Sequence, residues 1–151
     1  MSILERLKAA GVNLPEPRAP VANYVPFVIT GNLLFISGQV SAAPEGLIKG
    51  TLGKDMTLEQ GQAAAKICAI NLIAQMQSAL GDLERVTRIV KLGGFVNAAT
   101  DFVNIPQVVN GCSDLMVTAF GDKGRHARSA VACPVLPMGA AVEVDAVVEF
   151  K

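Results

Sequence analysis

The chain has 151 residues, with 13 basic and 13 acidic side chains and a pI near 6.6. That length suits one domain burying about 70% of its unfolded surface, and the charge balance leaves no global footprint for nucleic acid. Only 17% of residues are charged while 51% are hydrophobic, at a mean hydropathy of +0.42, which points to faces buried between copies of the chain.

Residues 2–10 read as a short helix stopped by Gly11, followed by a proline-punctuated linker over 13–20. Residues 1–20 are thus expected as an appendage, with a single domain over 21–151. Ala19 to Pro44 carries no charge and is long enough to suggest a membrane span, but Asn23, Pro26, Gly31, Asn32, Gly38 and Gln39 interrupt it. A soluble β-hairpin fits better, with strands 25–30 and 33–40 joined at Gly31-Asn32. Residues 41–56 read as a glycine-containing loop with a short edge strand.

Thr57 and Gln60 form a capping box ahead of a helix that repeats Ala65, Cys68, Leu72, Met76 and Ala79 at helical spacing and ends at Gly81. That stripe is expected to be core. Residues 86–96 predict a strand whose Gly93-Gly94 pair marks a bulge, a bend or a close backbone approach. A second helix is expected to start between Asp101 and Asn104, with Pro106 in its first turn. Its apolar face is Ile105, Val109, Cys112, Met116 and Phe120, and Gly121 closes it. Lys123, Arg125 and His126 gather on the next loop, where a solvated surface is the plainer reading than an anion-binding rim. Strands over 128–135 and 140–150 complete the chain. Two strands, helix, strand, helix, two strands suits an α+β fold, with both helices on one face of a mixed sheet and a partner subunit over the other.

The three cysteines, Cys68, Cys112 and Cys133, are far apart and odd in number, and His126 is the sole histidine. No metal site is expected, and reduced thiols point to the cytoplasm. The N-terminus has no apolar run of signal-peptide length.

The stretch 126–150 concentrates what chemistry there is. Arg128 opens one apolar strand and Glu143 lies within the next, which suggests that they meet at the inner ends of adjacent strands. A guanidinium there would grip an oxyanion through its planar fork, and the glutamate could orient or deprotonate water. Glu143 and Asp145 point the same way on their strand. An exposed face at a subunit rim is the alternative reading of that pair.

Four blocks in order carry a family resemblance: Tyr24; Gly31-Asn32-Leu33-Leu34-Phe35-Ile36-Ser37-Gly38-Gln39; Asp101-Phe102 with Val109-Asn110; and Arg128-Ser129-Ala130, Leu136-Pro137, Val142-Glu143-Val144-Asp145-Ala146. The last resembles R-S-x-V-x-V-x-x-L-P-x-x-x-x-V-E-I-E-x-x-A. Over residues 21 to 151 the chain resembles the RidA/YjgF family, in a longer-chain branch. The resemblance implies a chorismate-mutase-like α+β fold, a homotrimer with a central barrel, and cofactor-independent hydrolysis of reactive 2-imino acids to 2-oxo acids and ammonia. It further implies that Arg128 holds the substrate carboxylate and Glu143 positions water. A backbone carbonyl near Ala130 would act as a second acceptor. Tyr24, Ser37 and Asn110 would line a cleft between subunits. Ser37 and Asn110 could equally serve local structure. Ala130 stands where many relatives carry cysteine, and Val40 follows Ser37-Gly38-Gln39 where a proline is frequent.

Two other functions stay open at this point. One is a non-enzymatic module that binds a small carboxylate metabolite in the same cleft. The other is an endoribonuclease or translation inhibitor, against which the neutral charge and the lack of interleaved basic and aromatic residues count.

Overall fold

The structure is a computed structural model that describes residues 1–20 and 22–151. The expected boundary between linker and domain falls on residue 21, outside the described residues. Among the described residues, seven strands occur in chain order. They are β1 (Phe27–Thr30), β2 (Leu33–Val40), β3 (Ala42–Ala43), β4 (Gly46–Leu47), β5 (Val86–Asn97), β6 (Ala127–Cys133) and β7 (Val142–Phe150). Five of them form one sheet in the order β1-β2-β7-β5-β6, and β3 and β4 pair apart from it. All neighbours in the large sheet are antiparallel except β5 and β6. A parallel pair needs a long crossover, which the helix α3 (Ile105–Phe120) supplies between β5 and β6. No helix among the described residues is long and apolar enough to cross a membrane.

The helix α2 (Leu58–Leu80) begins as its sequence predicts. Thr57 Oγ1 accepts from the Gln60 N–H at 3.2 Å, Gln60 Oε1 accepts from the Thr57 N–H at 2.8 Å, and Gly81 ends the helix at φ +75°. Ala65, Cys68, Leu72 and Met76 of α2 meet Val109, Cys112 and Met116 of α3 in one core with the sheet. Burial pushes the Cys112 thiol up to about 12 and raises Cys68 as well, so both act as small apolar fillers. The second helix starts at Ile105, with Asn104 before it making no side-chain cap.

The short helix expected over residues 2–10 forms as α1 (Ile3–Ala9). Ser2 and Glu5 cap it reciprocally, and Ile3, Leu7 and Val12 are buried in the main core. The Ile3 N–H donates to Glu84 Oε2 at 2.8 Å. The N-terminal segment therefore packs as part of the helical layer.

On β7, Val142, Val144, Ala146 and Val148 are buried toward the helices, while Glu143, Asp145 and Val147 alternate onto the other face. The Gly93-Gly94 pair of β5 is a close approach on both faces at once. A Cβ at Gly93 would lie 2.5 Å from Asp145 Oδ1, and one at Gly94 would lie 2.7 Å from a Val109 methyl. The bulges of β5 fall earlier, between Val86 and Arg88 and between Ile89 and Lys91. The β1–β2 turn places Gly31 at φ +59°, where only glycine is unstrained. Away from the helices, the sheet exposes Phe35 and Val131, 43% and 47% accessible, and edge strand β1 exposes Val28 and Ile29.

Candidate functional site

Arg128 lies on β6, the edge strand beside β5, opposite Leu92, and projects toward α3. Its Nη1 donates to Asn110 Oδ1 at 2.8 Å and to Ser113 Oγ at 3.1 Å. Both acceptors are neutral, and among the described residues no carboxylate lies within ion-pair distance of the guanidinium. A half-buried arginine held by neutral groups keeps its charge available for an external anion. The strand that carries it is not the buried one its apolar sequence suggests. As an edge strand, β6 leaves Ala127, Ser129, Val131 and Ala132 exposed, and only Arg128, Ala130 and Cys133 are partly covered. Ala130 turns to the helix side and packs on the core.

Glu143 occupies a different place. It lies on the sheet face away from the helices, opposite Val40 and Phe95, and lines a cavity of about 310 Å³ with Tyr24, Ser37, Gly38 and Arg18. A bulge in β2 between Ile36 and Gln39 sets Ser37 and Gly38 beside it. Gly38 lets Glu143 lie close: an added Cβ would lie 3.0 Å from Glu143 Cδ, so the carboxylate would have to give way. Burial raises the Glu143 pKa above the ordinary carboxylate range, and neighbouring Asp145 raises it further. Asp145 is itself raised by burial, with Gly93 and Lys91 acting the other way. Tyr24 is 52% exposed at the rim. The Ser37 hydroxyl donates to the Val25 carbonyl at 2.7 Å, so it also ties down the chain leading into β1.

Arg128 and Glu143 therefore do not meet within one chain. The expectation of adjacent strands fails because β5 lies between β6 and β7, and the two side chains leave opposite faces of the sheet. The structure gathers Tyr24, Ser37 and Glu143 in one place, and Arg128, Asn110 and Ala130 in another.

Sequence reasoning missed Ser113, Arg18 and Met138, and read His126 only as part of a solvated loop. Ser113 and His126 stand behind Arg128, the Ser113 Oγ lying 2.9 Å from His126 Nε2. Arg18 enters the cavity because buried Gln75 donates to its backbone carbonyl at 2.9 Å, fixing the linker over the β2 bulge. Met138 also lines the cavity, and it is the one described non-glycine residue at positive φ, +60°. None of these contacts has a local sequence signature. Lys123 and Arg125 stay exposed, and Arg125 pairs with Asp122 at 3.5 Å. Among the described residues, no cluster of three or more His, Cys, Asp or Glu side chains is placed to hold a metal ion.

The fold is matched in known proteins. The model of the YjgF/chorismate mutase-like family, described as "putative endoribonuclease", matches residues 4–150, and the chain belongs to that family. It is 48% identical over 151 residues to Protein TCP17 of Trypanosoma cruzi, covering 99% of this chain and 94% of that one. The crystal structure of Atu1372 from Agrobacterium tumefaciens, a protein of unknown function, superposes with a TM-score of 0.93 at 45% identity, over 99% of this chain and 92% of that one. RidA from an Antarctic Psychrobacter superposes with a TM-score of 0.62 at 26% identity, over 89% of this chain and 94% of that one.

Proposed function

We propose that this protein hydrolyses small reactive 2-imino acids to 2-oxo acids and ammonia, in sites completed between neighbouring subunits of a homotrimer. The carrying observation is Arg128, a half-buried guanidinium held by Asn110 and Ser113 with no carboxylate among the described residues beside it. A substrate carboxylate would supply the missing charge in a bidentate pair. Membership of the family and the likeness to a RidA support the reaction class.

The chemistry needs no redox step. The imine carbon is electrophilic, so water adds to it and gives up a proton, and the nitrogen gains one. The resulting carbinolamine then expels ammonia as the carbonyl forms. Glu143 would take the proton of the attacking water, with the backbone carbonyl near Ala130 as a second acceptor. A carboxylate whose pKa is raised by burial and by Asp145 is a better base than an ordinary glutamate. Arg128 would fix the substrate so that this water lies in line with the carbon. Tyr24 and Ser37 would bound the pocket on the Glu143 side, and Asn110 on the Arg128 side.

The trimer is supported by the separation of the half-sites and by the apolar outer sheet face that bears Phe35 and Val131. Three such faces turned inward would form a central barrel. To test the function, a purified amino-acid oxidase generates the imine and 2-oxo acid release is followed. Acceleration over the uncatalysed rate, lost in Arg128→Ala, is expected. Equal rates with and without the protein would refute catalysis. Retained binding of a 2-oxo acid in wild type and Glu143→Gln, without turnover, would identify a carboxylate-sensing module instead.

A further inference from the structure

We propose that Ser113 and His126 are positioning residues that aim Arg128, an inference that rests on the carboxylate-binding role of that arginine. For a neutral imidazole the hydrogen-bond directions follow from one contact. His126 Nδ1 lies 2.6 Å from the Gly124 carbonyl oxygen, which can only accept, so Nδ1 carries the proton. In the neutral ring, Nε2 is then an acceptor, and the Ser113 hydroxyl donates to it across 2.9 Å. The lone pairs of Ser113 Oγ are thereby turned to Arg128, whose Nη1 donates to them at 3.1 Å. The relay runs from the arginine through a hydroxyl and an imidazole to a backbone carbonyl.

Its far end is rigid. Gly124 is buried so closely against α3 that an added Cβ would run into the Met116 carbonyl oxygen. Ser113 lies on the same helix, one turn from Asn110, the other acceptor of Arg128. Both hydrogens of Nη1 are thus engaged by neutral groups anchored to α3. Among the described residues, Nη2 and Nε have no acceptor. These two nitrogens form one edge of the guanidinium with two parallel N–H bonds, the arrangement that a carboxylate accepts bidentately. The relay thus selects which edge of the arginine faces the ligand. A nucleophilic role for Ser113 is disfavoured, because its lone pairs serve Arg128 and it does not line the cavity that holds Glu143.

The test is steady-state kinetics in the oxidase-coupled assay, paired with calorimetry using 2-oxobutanoate. Ser113→Ala should raise KM and weaken 2-oxobutanoate binding about 10-fold, with kcat within about 2-fold of wild type. Ser113→Thr, which restores the hydroxyl, should recover most of that loss. His126→Gln should resemble Ser113→Ala, and the double variant should be no worse than either single one, because both break the same relay. Wild-type KM in Ser113→Ala, a loss confined to kcat, or additive losses in the double variant would overturn the inference. If wild type neither turns over imines nor binds 2-oxobutanoate, the carboxylate role of Arg128 falls, and the relay with it. Wild-type activity with an indifferent Ser113→Ala refutes the relay alone.

Discussion

The opposite-face placement of Arg128 and Glu143 makes a quantitative prediction about mixed assemblies. Arg128→Ala leaves Glu143 intact, Glu143→Gln leaves Arg128 intact, and each variant alone should be inactive. In a closed ring of identical head-to-tail interfaces, each site takes the Glu143 face of one subunit and the Arg128 face of the next. Random mixing of equal amounts gives each of those two positions an even chance of holding the competent subunit. About a quarter of the interfaces then carry both intact groups, so about a quarter of wild-type activity should return, whatever the number of subunits in the ring. The two variants are denatured together, refolded and assayed by 2-oxo acid release, with differential mass labels to establish that mixed assemblies form. No recovery in assemblies shown to be mixed would refute the shared site, because groups serving one chain's own pocket cannot complement each other.

The carboxylate pair governs the acidic side of the pH profile. Asp145→Asn removes the charge that helps burial hold the Glu143 pKa up, so the acidic limb of kcat/KM should move to lower pH. The stability sign follows from the same shift. A raised folded-state pKa favours the protonated form, so the stabilisation is present below the ordinary carboxylate range and lost as pH rises through the raised value. Asp145→Asn should therefore lose less stability than wild type across that interval in urea titrations, and an unchanged slope would contradict the assignment. Gly111→Ala should destabilise by about 3 kcal/mol in urea unfolding, since its methyl would fall on the Gln62 backbone carbonyl where α2 and α3 touch. A near-neutral result would mean that the helices can separate at little cost.

The local elements were legible because their determinants are local. Thr57 and Gln60 cap α2 across three residues, Gly31 turns the hairpin, and Val142, Val144, Ala146 and Val148 mark the buried face by alternation alone. The proposed site residues Tyr24, Ser37, Asn110, Arg128 and Glu143 were singled out through the order of the blocks around them. The packing of α1 was less visible, because Ile3 and Leu7 in a short helix look alike whether they coat a core or decorate a surface.

Strand order belongs to the tertiary structure. Successive strands at the C-terminus invite adjacency, yet β7 pairs with β2 and β5 while β6 goes to the edge, so Arg128 and Glu143 part company. The chain writes down which face each side chain leaves by, because that depends on alternation over a few residues. It does not write down which strands become neighbours, because pairing is chosen by the shared burial of faces distant in sequence. Ser113 meeting His126 behind Arg128 has the same cause: the contact exists only once α3 has crossed over and laid its residues against the loop entering β6.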